Sequence, residues 1–249
     1  MKEVEKVTFK QSLYLEAKKY DFELNDDKLE KLETYKNMLV EWNEKINLTT
    51  ITDEYQIIVK HFIDSLECTK YIKDGDNIID VGTGAGFPGV VIGIFFEDKV
   101  NITLLDSLNK RLLFLKEVIK ELNLQNIIIV HGRAEDMAND IIYREKYDIV
   151  VARAVASLSV LCEYTSPYAR TKGKCLYMKG DNIQQEIDLS RIAFNKLNIR
   201  VLNKYEYDLE VNEKDNIEIF KRCILEVQKV DKTPKSYPRS YDKIKKLPL

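Results

Sequence analysis

Residues 79–89 read IDVGTGAGFPG, so a short apolar run is followed by four glycines within eight positions. Glycine reaches positive φ angles without strain and lets a ligand approach the backbone closely. Pro88 suits the first turn of a helix, where its missing N–H group costs nothing. The free N–H groups at a helix N-terminus attract an electron-rich ligand. The stretch therefore predicts a buried strand, a helix, and between them a loop that binds a nucleotide-like ligand through Gly82, Gly84 and Gly86.

Downstream of this loop, short apolar runs alternate with segments of helical periodicity. The apolar runs are residues 78–81, 100–105, 127–130, 147–151 and 174–178, and the periodic segments lie near 88–96, 108–122, 134–142, 157–169 and 182–197. Such alternation indicates a buried parallel sheet with right-handed crossovers. Two last runs, 198–209 and 217–228, are joined only by a polar connection and predict an antiparallel hairpin. The prediction is an α/β fold with a Rossmann-like seven-stranded sheet, the layout of a class I methyltransferase that uses S-adenosylmethionine.

Upstream of the loop, the sequence has a helical pattern. Apolar residues recur at spacings of three and four up to Ile46, Asn47 ends that pattern, and Asp53 has the character of an N-cap. Residues 1–70 hold 11 Lys or Arg against 15 Asp or Glu, which argues against a basic RNA-binding arm. We therefore divide the chain into a small helical N-terminal region, 1–72, a methyltransferase domain, 73–228, and a basic C-terminal tail, 229–249.

The composition is that of a globular protein. Of 249 residues, 45% are hydrophobic and 32% are charged, and the formal net charge of -2 shows that the whole chain is no polycation. No apolar run reaches the roughly 18 residues of a membrane span, and residues 1–10 lack the apolar core of a signal peptide. The four cysteines are far apart, which predicts small buried side chains and neither a metal site nor disulfides. We expect a cytoplasmic monomer without a metal or a membrane partner.

Two further strand ends carry residues suited to an adenosine ligand. Asp106 ends the second apolar run, and a carboxylate there accepts hydrogen bonds from ribose hydroxyls. The third run leads into a turn of small residues before Ala134 and Glu135, where backbone N–H groups would face an adenine ring. The G-x-G-x-x-G spacing from Gly84 fits NAD as well as S-adenosylmethionine. Because no second domain follows to carry dehydrogenase chemistry, we favour S-adenosylmethionine and keep an NAD-dependent oxidoreductase as an alternative.

The fourth and fifth strand ends carry Arg153 and Lys179. In this layout their edge of the sheet faces the reacting methyl group. The fourth run is followed neither by the Asn/Asp-Pro-Pro-aromatic motif of adenine-N6 enzymes nor by the cysteine nucleophile of cytosine-C5 enzymes. The target atom is then expected to own a lone pair. We assign Arg153 and Lys179 to positioning RNA or the cofactor carboxylate, and we expect His61 to pack or hydrogen-bond without a direct catalytic role.

Taken together, the motifs resemble the ribosomal RNA small-subunit methyltransferase G family, formerly called glucose-inhibited division protein B. In chain order the resemblance rests on Trp42-Asn43, Asn47-Leu48-Thr49, His61-Phe62-Ile63-Asp64-Ser65-Leu66, the loop at 81–89, Leu105-Asp106-Ser107, Lys110-Arg111, Gly132-Arg133-Ala134-Glu135, Ala152-Arg153-Ala154 and Tyr237-Pro238-Arg239. These motifs span nearly the whole chain. One departure follows Arg239, where the family usually has a glycine and this chain has Asp242 near that position.

The resemblance implies transfer of a methyl group from S-adenosylmethionine to N7 of guanine 527 in 16S ribosomal RNA. It also implies that this RNA, or the small ribosomal subunit, is the partner. By the same resemblance Gly82 and Phe87 line the cofactor loop, Ala134 and Glu135 hold the adenine side, and Arg153 closes the site. A non-catalytic RNA-binding module with a structural cofactor site is the second alternative.

The C-terminal tail has an unusual composition. Residues 229–249 carry 7 Lys or Arg against 2 Asp, together with three prolines, Tyr237 and Tyr241. From this composition we expect a segment that packs against no core. Its role would be that of a solubilising terminus or of a segment that orders on RNA phosphates and stacked bases.

Overall fold

The computed structural model describes residues 7–213 and 216–249, and in this part of the chain the centre is a seven-stranded sheet. The strands are β1 Asn77–Val81, β2 Asn101–Asp106, β3 Ile127–His131, β4 Tyr147–Arg153, β5 Ala169–Lys179, β6 Ile199–Glu213 and β7 Asn216–Lys229. Their order across the sheet is β3-β2-β1-β4-β5-β7-β6. Strands β1 to β5 pair in parallel, whereas β7 is antiparallel to both β5 and β6. The predicted fold is confirmed. Residues 214–215, in the polar connection of the predicted hairpin, lie outside the described residues. So do residues 1–6 of the stretch that was tested for a signal peptide.

Helices cover both faces of the sheet. They are α1 Phe9–Lys19, α2 Asp26–Ile46, α3 Glu54–Ile57, α4 Asp64–Glu67, α5 Gly89–Phe96, α6 Asn109–Glu121, α7 Ala134–Met137, α8 Leu158–Thr165, α9 Ile183–Leu189, α10 Arg191–Lys196 and α11 Tyr241–Lys246, with a π-helical turn, Ile58–Ile63, between α3 and α4. Successive strand residues point to opposite faces. Ile78 therefore packs in the core that holds α1, α2, α5 and α6, while Ile79 packs in the core that holds α8 and α10.

The helical N-terminal region shares a core with the sheet. Leu32, Tyr35 and Phe62 are fully buried in the same hydrophobic cluster as Leu104 of β2. As predicted, Asn47 caps α2 in the left-handed conformation, with φ of 49°. The Asp53 side chain also accepts a hydrogen bond from the backbone of the next helix, α3. The region therefore packs against one face of the sheet, and the boundary at residue 72 stays a prediction from the sequence.

Two helical segments are shorter than their periodicity predicts. The segment near 134–142 forms only the four-residue α7, and the segment near 182–197 is two helices, α9 and α10, that meet at Ser190. The Ser190 side chain donates a hydrogen bond of 2.7 Å to the Glu186 carbonyl. A serine side chain that hydrogen-bonds to the backbone carbonyl four residues earlier competes with regular helix geometry.

The hairpin of β6 and β7 extends beyond the predicted runs. Its outer half reaches the helical region, where Leu209 and Val211 are buried in the shared core. The Glu210 backbone N–H donates a hydrogen bond of 2.8 Å to the Tyr20 hydroxyl of the turn after α1. The hairpin therefore connects the end of the sheet to the N-terminal helices.

The expectation that the tail packs against no core is wrong. Ile244 of α11 is fully buried, and so is Lys229, whose Nζ donates a hydrogen bond of 2.8 Å to the Ser166 carbonyl. Burial lowers the pKa of Lys229 to about 8. Arg239 pairs with the fully buried Glu163 of α8. Two of the seven basic residues of the tail, Lys229 and Arg239, are therefore partnered by the domain, which a count of basic residues does not reveal.

Two other predictions concern the cysteines and membrane-spanning helices. All four cysteines are buried and free of disulfides, as predicted. Among the described residues, no helix is both long and apolar enough to cross a membrane.

Candidate active site

The carboxyl ends of the parallel strands form a cleft of about 270 Å³. Four of the predicted cofactor residues line it: Gly82 after β1, Asp106 at the end of β2, and Ala134 and Glu135 at the start of α7. The parallel register brings these ends together, with Val81 beside Leu105 and Asp106 beside His131. Predicted residues that do not line the cleft are Gly84, Gly86, Phe87, Arg153 and Lys179.

Asp80 fixes the glycine loop from inside the protein. Its Oδ2 accepts hydrogen bonds from the Thr83 hydroxyl, at 2.7 Å, and from the Gly89 backbone N–H, at 2.9 Å. Because burial outweighs these two hydrogen bonds, the pKa of Asp80 rises to about 6. No sequence pattern assigned Asp80 a role. The available signal was an acidic residue inside the apolar run 78–81.

Asp106 connects the loop to the second strand. Its Oδ2 accepts a hydrogen bond of 2.9 Å from the Gly84 N–H, and its Oδ1 accepts one of 2.8 Å from the Leu108 N–H. Arg111 lies 3.4 Å from the same carboxylate. Each carboxylate oxygen can accept more than one hydrogen bond, so Asp106 keeps acceptor capacity for ligand hydroxyls. Its predicted role as ribose acceptor is compatible with this geometry.

Gly86 and Phe87 are surrounded by protein side chains. A Cβ on Gly86, whose φ is +101°, would lie 2.7 Å from the Tyr35 hydroxyl and 2.6 Å from Val90, so packing as well as φ requires glycine. The Phe87 ring stacks on the His61 ring at 4.5 Å and contacts the Tyr35 ring at 5.3 Å. Both residues attach the loop to the helical N-terminal region.

Arg153 lies next to Phe87 of the glycine loop and outside the lining of the cleft. Its guanidinium carbon is 5.0 Å from the centre of the Phe87 ring. Its Nη1 donates hydrogen bonds of 3.1 Å to the Lys60 carbonyl and to Asp64 Oδ2. The predicted role of Arg153 in positioning therefore depends on a contact with the helical region that the sequence analysis did not anticipate.

Asp64 is the centre of a buried ionic cluster. Only 2% of this residue is exposed, and Arg222 of β7 donates two hydrogen bonds to its carboxylate, at 3.0 and 2.9 Å. The Tyr207 hydroxyl donates a third, at 2.9 Å, beside the one from Arg153. Burial opposes ionisation of Asp64, but the attraction of Arg222 and Arg153 prevails and lowers its pKa. We call Asp64, Arg153, Arg222 and Tyr207 the Asp64 cluster.

His61 is a neutral packing residue. Thr49 Oγ1 lies 3.0 Å from its Nε2, and Arg153 Nη2 lies 3.4 Å from its Nδ1. Burial and the nearby Arg153 lower the pKa of His61 to about 3. With that pKa the His61 ring is neutral at neutral pH and is not an acid that could protonate a substrate. Its expected role as a packing or hydrogen-bonding residue stays a prediction.

Lys179 is hydrogen-bonded to the loop that follows β4. Its Nζ donates hydrogen bonds of 2.9 Å to the Ala156 carbonyl and 2.8 Å to Glu186 Oε2. Glu186 also accepts a hydrogen bond of 2.7 Å from the Leu158 N–H at the start of α8. The lysine thus orders the protein at this strand end, and its role toward a ligand stays a prediction.

Glu135 offers an unused acceptor in the cleft. Only 5% of the residue is exposed, and its Oε1 has no hydrogen-bond partner in the described part of the chain. Arg133 Nη1 lies 3.8 Å from that oxygen, beyond hydrogen-bond distance. Burial raises the pKa of Glu135. A buried polar atom without a partner is costly, so this oxygen suits a ligand N–H or O–H group.

A family described as rRNA small subunit methyltransferase G matches residues 28–212. The chain belongs to this family. A relative from Alkaliphilus metalliredigens, a ribosomal RNA small subunit methyltransferase G, is 44% identical over 230 residues, which is 92% of this chain and 93% of the relative. The suspected membership of the methyltransferase G family is thereby confirmed.

Solved structures support the fold independently. A precorrin-6Y C5,15-methyltransferase from Geobacter metallireducens matches with a TM-score of 0.52 at 11% identity, over 74% of this chain and 90% of that one. A SAM-dependent methyltransferase from Aquifex aeolicus matches with a TM-score of 0.51 at 14% identity, over 71% of this chain and 94% of that one. At 11% and 14% identity these two structures show only that this methyltransferase G family member shares their fold.

The replacement Gly84→Val is expected to weaken S-adenosylmethionine binding by about tenfold, which is equivalent to about 1.4 kcal/mol. A strained backbone conformation costs about 1–3 kcal/mol, so a loss of this size is expected. Gly84 has φ of +62°, and a Cβ there would meet nothing nearer than the Gly82 carbonyl at 4.0 Å. The variant should therefore fold, while the strain shifts the loop that Asp106 holds. The measurement is isothermal titration with S-adenosylmethionine.

The matched control for this loop variant is Gly75→Val. Gly75 also has positive φ, at +90°, and nothing within 4 Å of an added Cβ, but it lies in the turn before β1. This control should keep its affinity although it too places a valine at positive φ. Unchanged affinity in a folded Gly84→Val protein would contradict the role assigned to the loop.

Proposed function

We propose that this family member transfers a methyl group from S-adenosylmethionine to N7 of guanine 527 in 16S ribosomal RNA. The observation that carries the proposal is the cleft at the ends of β1, β2 and β3, in a chain of the methyltransferase G family. There the Asp106 carboxylate, and the Glu135 oxygen that has no hydrogen-bond partner among the described residues, present acceptors to the hydroxyl and amino groups of an adenosine.

The residues of the cleft fit S-adenosylmethionine. Gly82 has φ of +72°, and a Cβ there would lie 3.0 Å from Val155, so only glycine leaves this part of the cleft open. Asp106 would bind the ribose hydroxyls, and Ala134 and Glu135 the adenine edge. Gly84, Gly86 and Phe87 would hold the loop in its conformation without touching the ligand, because each contacts other parts of the protein.

When bound, S-adenosylmethionine would supply a methyl group on a positively charged sulfur, which the lone pair of guanine N7 would take as the carbon–sulfur bond breaks and its electron pair stays on sulfur. N7 carries no proton, so no general base is needed. The chain's contribution is to hold both partners in line, which by itself lowers a barrier by several kcal/mol. The neutral, buried His61 and the paired Lys179 agree with a site that moves no proton.

Arg153 and Lys179 complete the proposed site as positioning residues. Arg153 is held by Asp64 on one side and lies over the ring of Phe87 on the other. Its proposed role toward the cofactor carboxylate or an RNA phosphate is one of positioning, because it lies next to Phe87 of the glycine loop. Lys179 would support the same edge of the sheet through the loop that it orders.

We further propose that the protein acts as a monomer in the cytoplasm, on 16S RNA or the small ribosomal subunit. The expected site uses no metal ion. In the described residues no three His, Cys, Asp or Glu side chains are grouped so that they could hold one.

The decisive experiment maps N7-methylguanosine in 16S RNA from cells with and without this gene. Methylation at guanine 527 that disappears with the gene and returns with a plasmid copy supports the proposal. Unchanged methylation would refute it. Titration of the purified protein with NAD and with S-adenosylmethionine separates the oxidoreductase alternative. Wild-type RNA binding without any methyl transfer would favour the non-catalytic module.

A further inference from the structure

Tyr241 of the C-terminal tail lines the same cleft as the predicted adenosine residues. Its neighbours in the lining include Ala134 and Glu135, more than a hundred positions earlier in the chain. The residue is 39% exposed, so part of its ring is open to the cleft and to solvent. Neither the sequence patterns nor the resemblance assigned Tyr241 to a cofactor site.

The segment that carries Tyr241 is anchored firmly. Arg239 donates three hydrogen bonds to the Glu163 carboxylate, from its backbone N–H at 2.9 Å, its Nε at 2.8 Å and its Nη2 at 2.7 Å. Glu163 is completely buried in α8, and Ile244, on the other side of Tyr241, is completely buried as well. Contacts on both sides therefore fix the position of the Tyr241 backbone.

Arg133 links the Tyr241 ring to the Glu135 carboxylate of the cleft. The Arg133 guanidinium carbon lies 4.7 Å from the centre of the Tyr241 ring, and Arg133 Nη1 lies 3.8 Å from Glu135 Oε1. An arginine on an aromatic face is attracted by the ring electrons. Arg133 thus lies near both the ring of Tyr241 and the carboxylate of Glu135, so the aromatic surface and the hydrogen-bond acceptor belong to one arrangement.

We infer that Tyr241 is the outer wall of the adenosine site, so that the C-terminal tail takes part in cofactor binding. The part of the ring that Arg133 does not cover supplies an aromatic surface for a purine base whose amino group donates a hydrogen bond to Glu135. Stacking on an aromatic ring stabilises any bound base, because every base has a π face. The inference rests on the proposed function, since it takes the ligand of the cleft to be an adenosine compound.

The test is the affinity of the full chain for S-adenosylhomocysteine and for adenosine, measured by isothermal titration. Tyr241→Ala should weaken both by about tenfold, because both carry the base that the ring contacts. Tyr241→Phe keeps the ring and should stay within about twofold of the wild type. The control is Tyr14→Ala, since Tyr14 is equally exposed, at 37%, and lies beside a lysine on α1.

A second measurement needs no substitution. Trypsin cleaves after Lys243, Lys245 and Lys246, all within α11. Bound S-adenosylhomocysteine should slow that cleavage severalfold in the wild type, because an added contact at Tyr241 makes local opening rarer. The inference is overturned if Tyr241→Ala keeps full affinity, if Tyr241→Phe loses as much as the alanine variant, or if the ligand leaves the cleavage rate unchanged. A wild-type protein that binds neither ligand would refute the proposed function itself.

Discussion

Replacing Asp64 with alanine is expected to lower the free energy of unfolding by about 3–5 kcal/mol. The carboxylate is buried and receives hydrogen bonds from Arg153, Arg222 and Tyr207. Its removal leaves two guanidinium groups close together without the charge that compensates them. Because a buried ion without its partner keeps its desolvation cost, the loss exceeds that of an exposed pair. Urea unfolding at pH 7, followed by circular dichroism, measures the change.

The control for Asp64 is Asp188→Ala. Asp188 also pairs with an arginine, Arg191 at 2.7 Å, but both side chains are largely exposed. This substitution should leave the unfolding curve nearly unchanged. If the two alanine variants lost equal stability, the Asp64 cluster would have no special weight.

Acid should remove the same stabilisation. The folded-state pKa of Asp64 is lowered, so its contribution is complete above the unfolded-state pKa of about 4 and is lost as pH falls below that value.

Replacing Arg153 with lysine is expected to lower methyl-transfer turnover at least about tenfold, equivalent to roughly 1.4 kcal/mol. Lysine keeps the positive charge but lacks the planar group that bonds Asp64 and Lys60 while it lies over the ring of Phe87. The loss should appear in single-turnover rates on 16S RNA at saturating cofactor. Cofactor affinity, measured in parallel, distinguishes a defect in binding from one in positioning.

Arg170→Lys provides the matched control. Arg170 also pairs with an aspartate, Asp148, but near the opposite end of β4 and β5, away from the cleft. Its turnover should equal that of the wild type. A fully active Arg153→Lys enzyme would show that Arg153 has only a structural role.

Local sequence patterns were sufficient for the sheet and the glycine loop. Each of the first five apolar runs became a parallel strand, and Gly82, Asp106, Ala134 and Glu135 meet in one cleft. Both results follow from backbone rules. Parallel strands place their carboxyl ends at one edge, and a run of glycines after the first strand leaves that edge open to a ligand. The cleft residues that follow β1, β2 and β3 are therefore predictable without tertiary contacts, whereas Arg153 and Lys179, at the ends of β4 and β5, pair with Asp64 and Glu186 and do not line the cleft.

The partners of charged residues were decided by the tertiary structure alone. No local pattern in the sequence gives Asp64 a partner, yet its two arginines come from positions 89 and 158 residues away. The tail has the composition of a solvated segment, yet Glu163 and the buried Ile244 hold it against α8 and bring Tyr241 to the cleft. Hydrophobic periodicity reports which face of an element is buried, because neighbouring residues share that face. It does not report which distant side chain meets a charge, because that depends on how completed elements pack together.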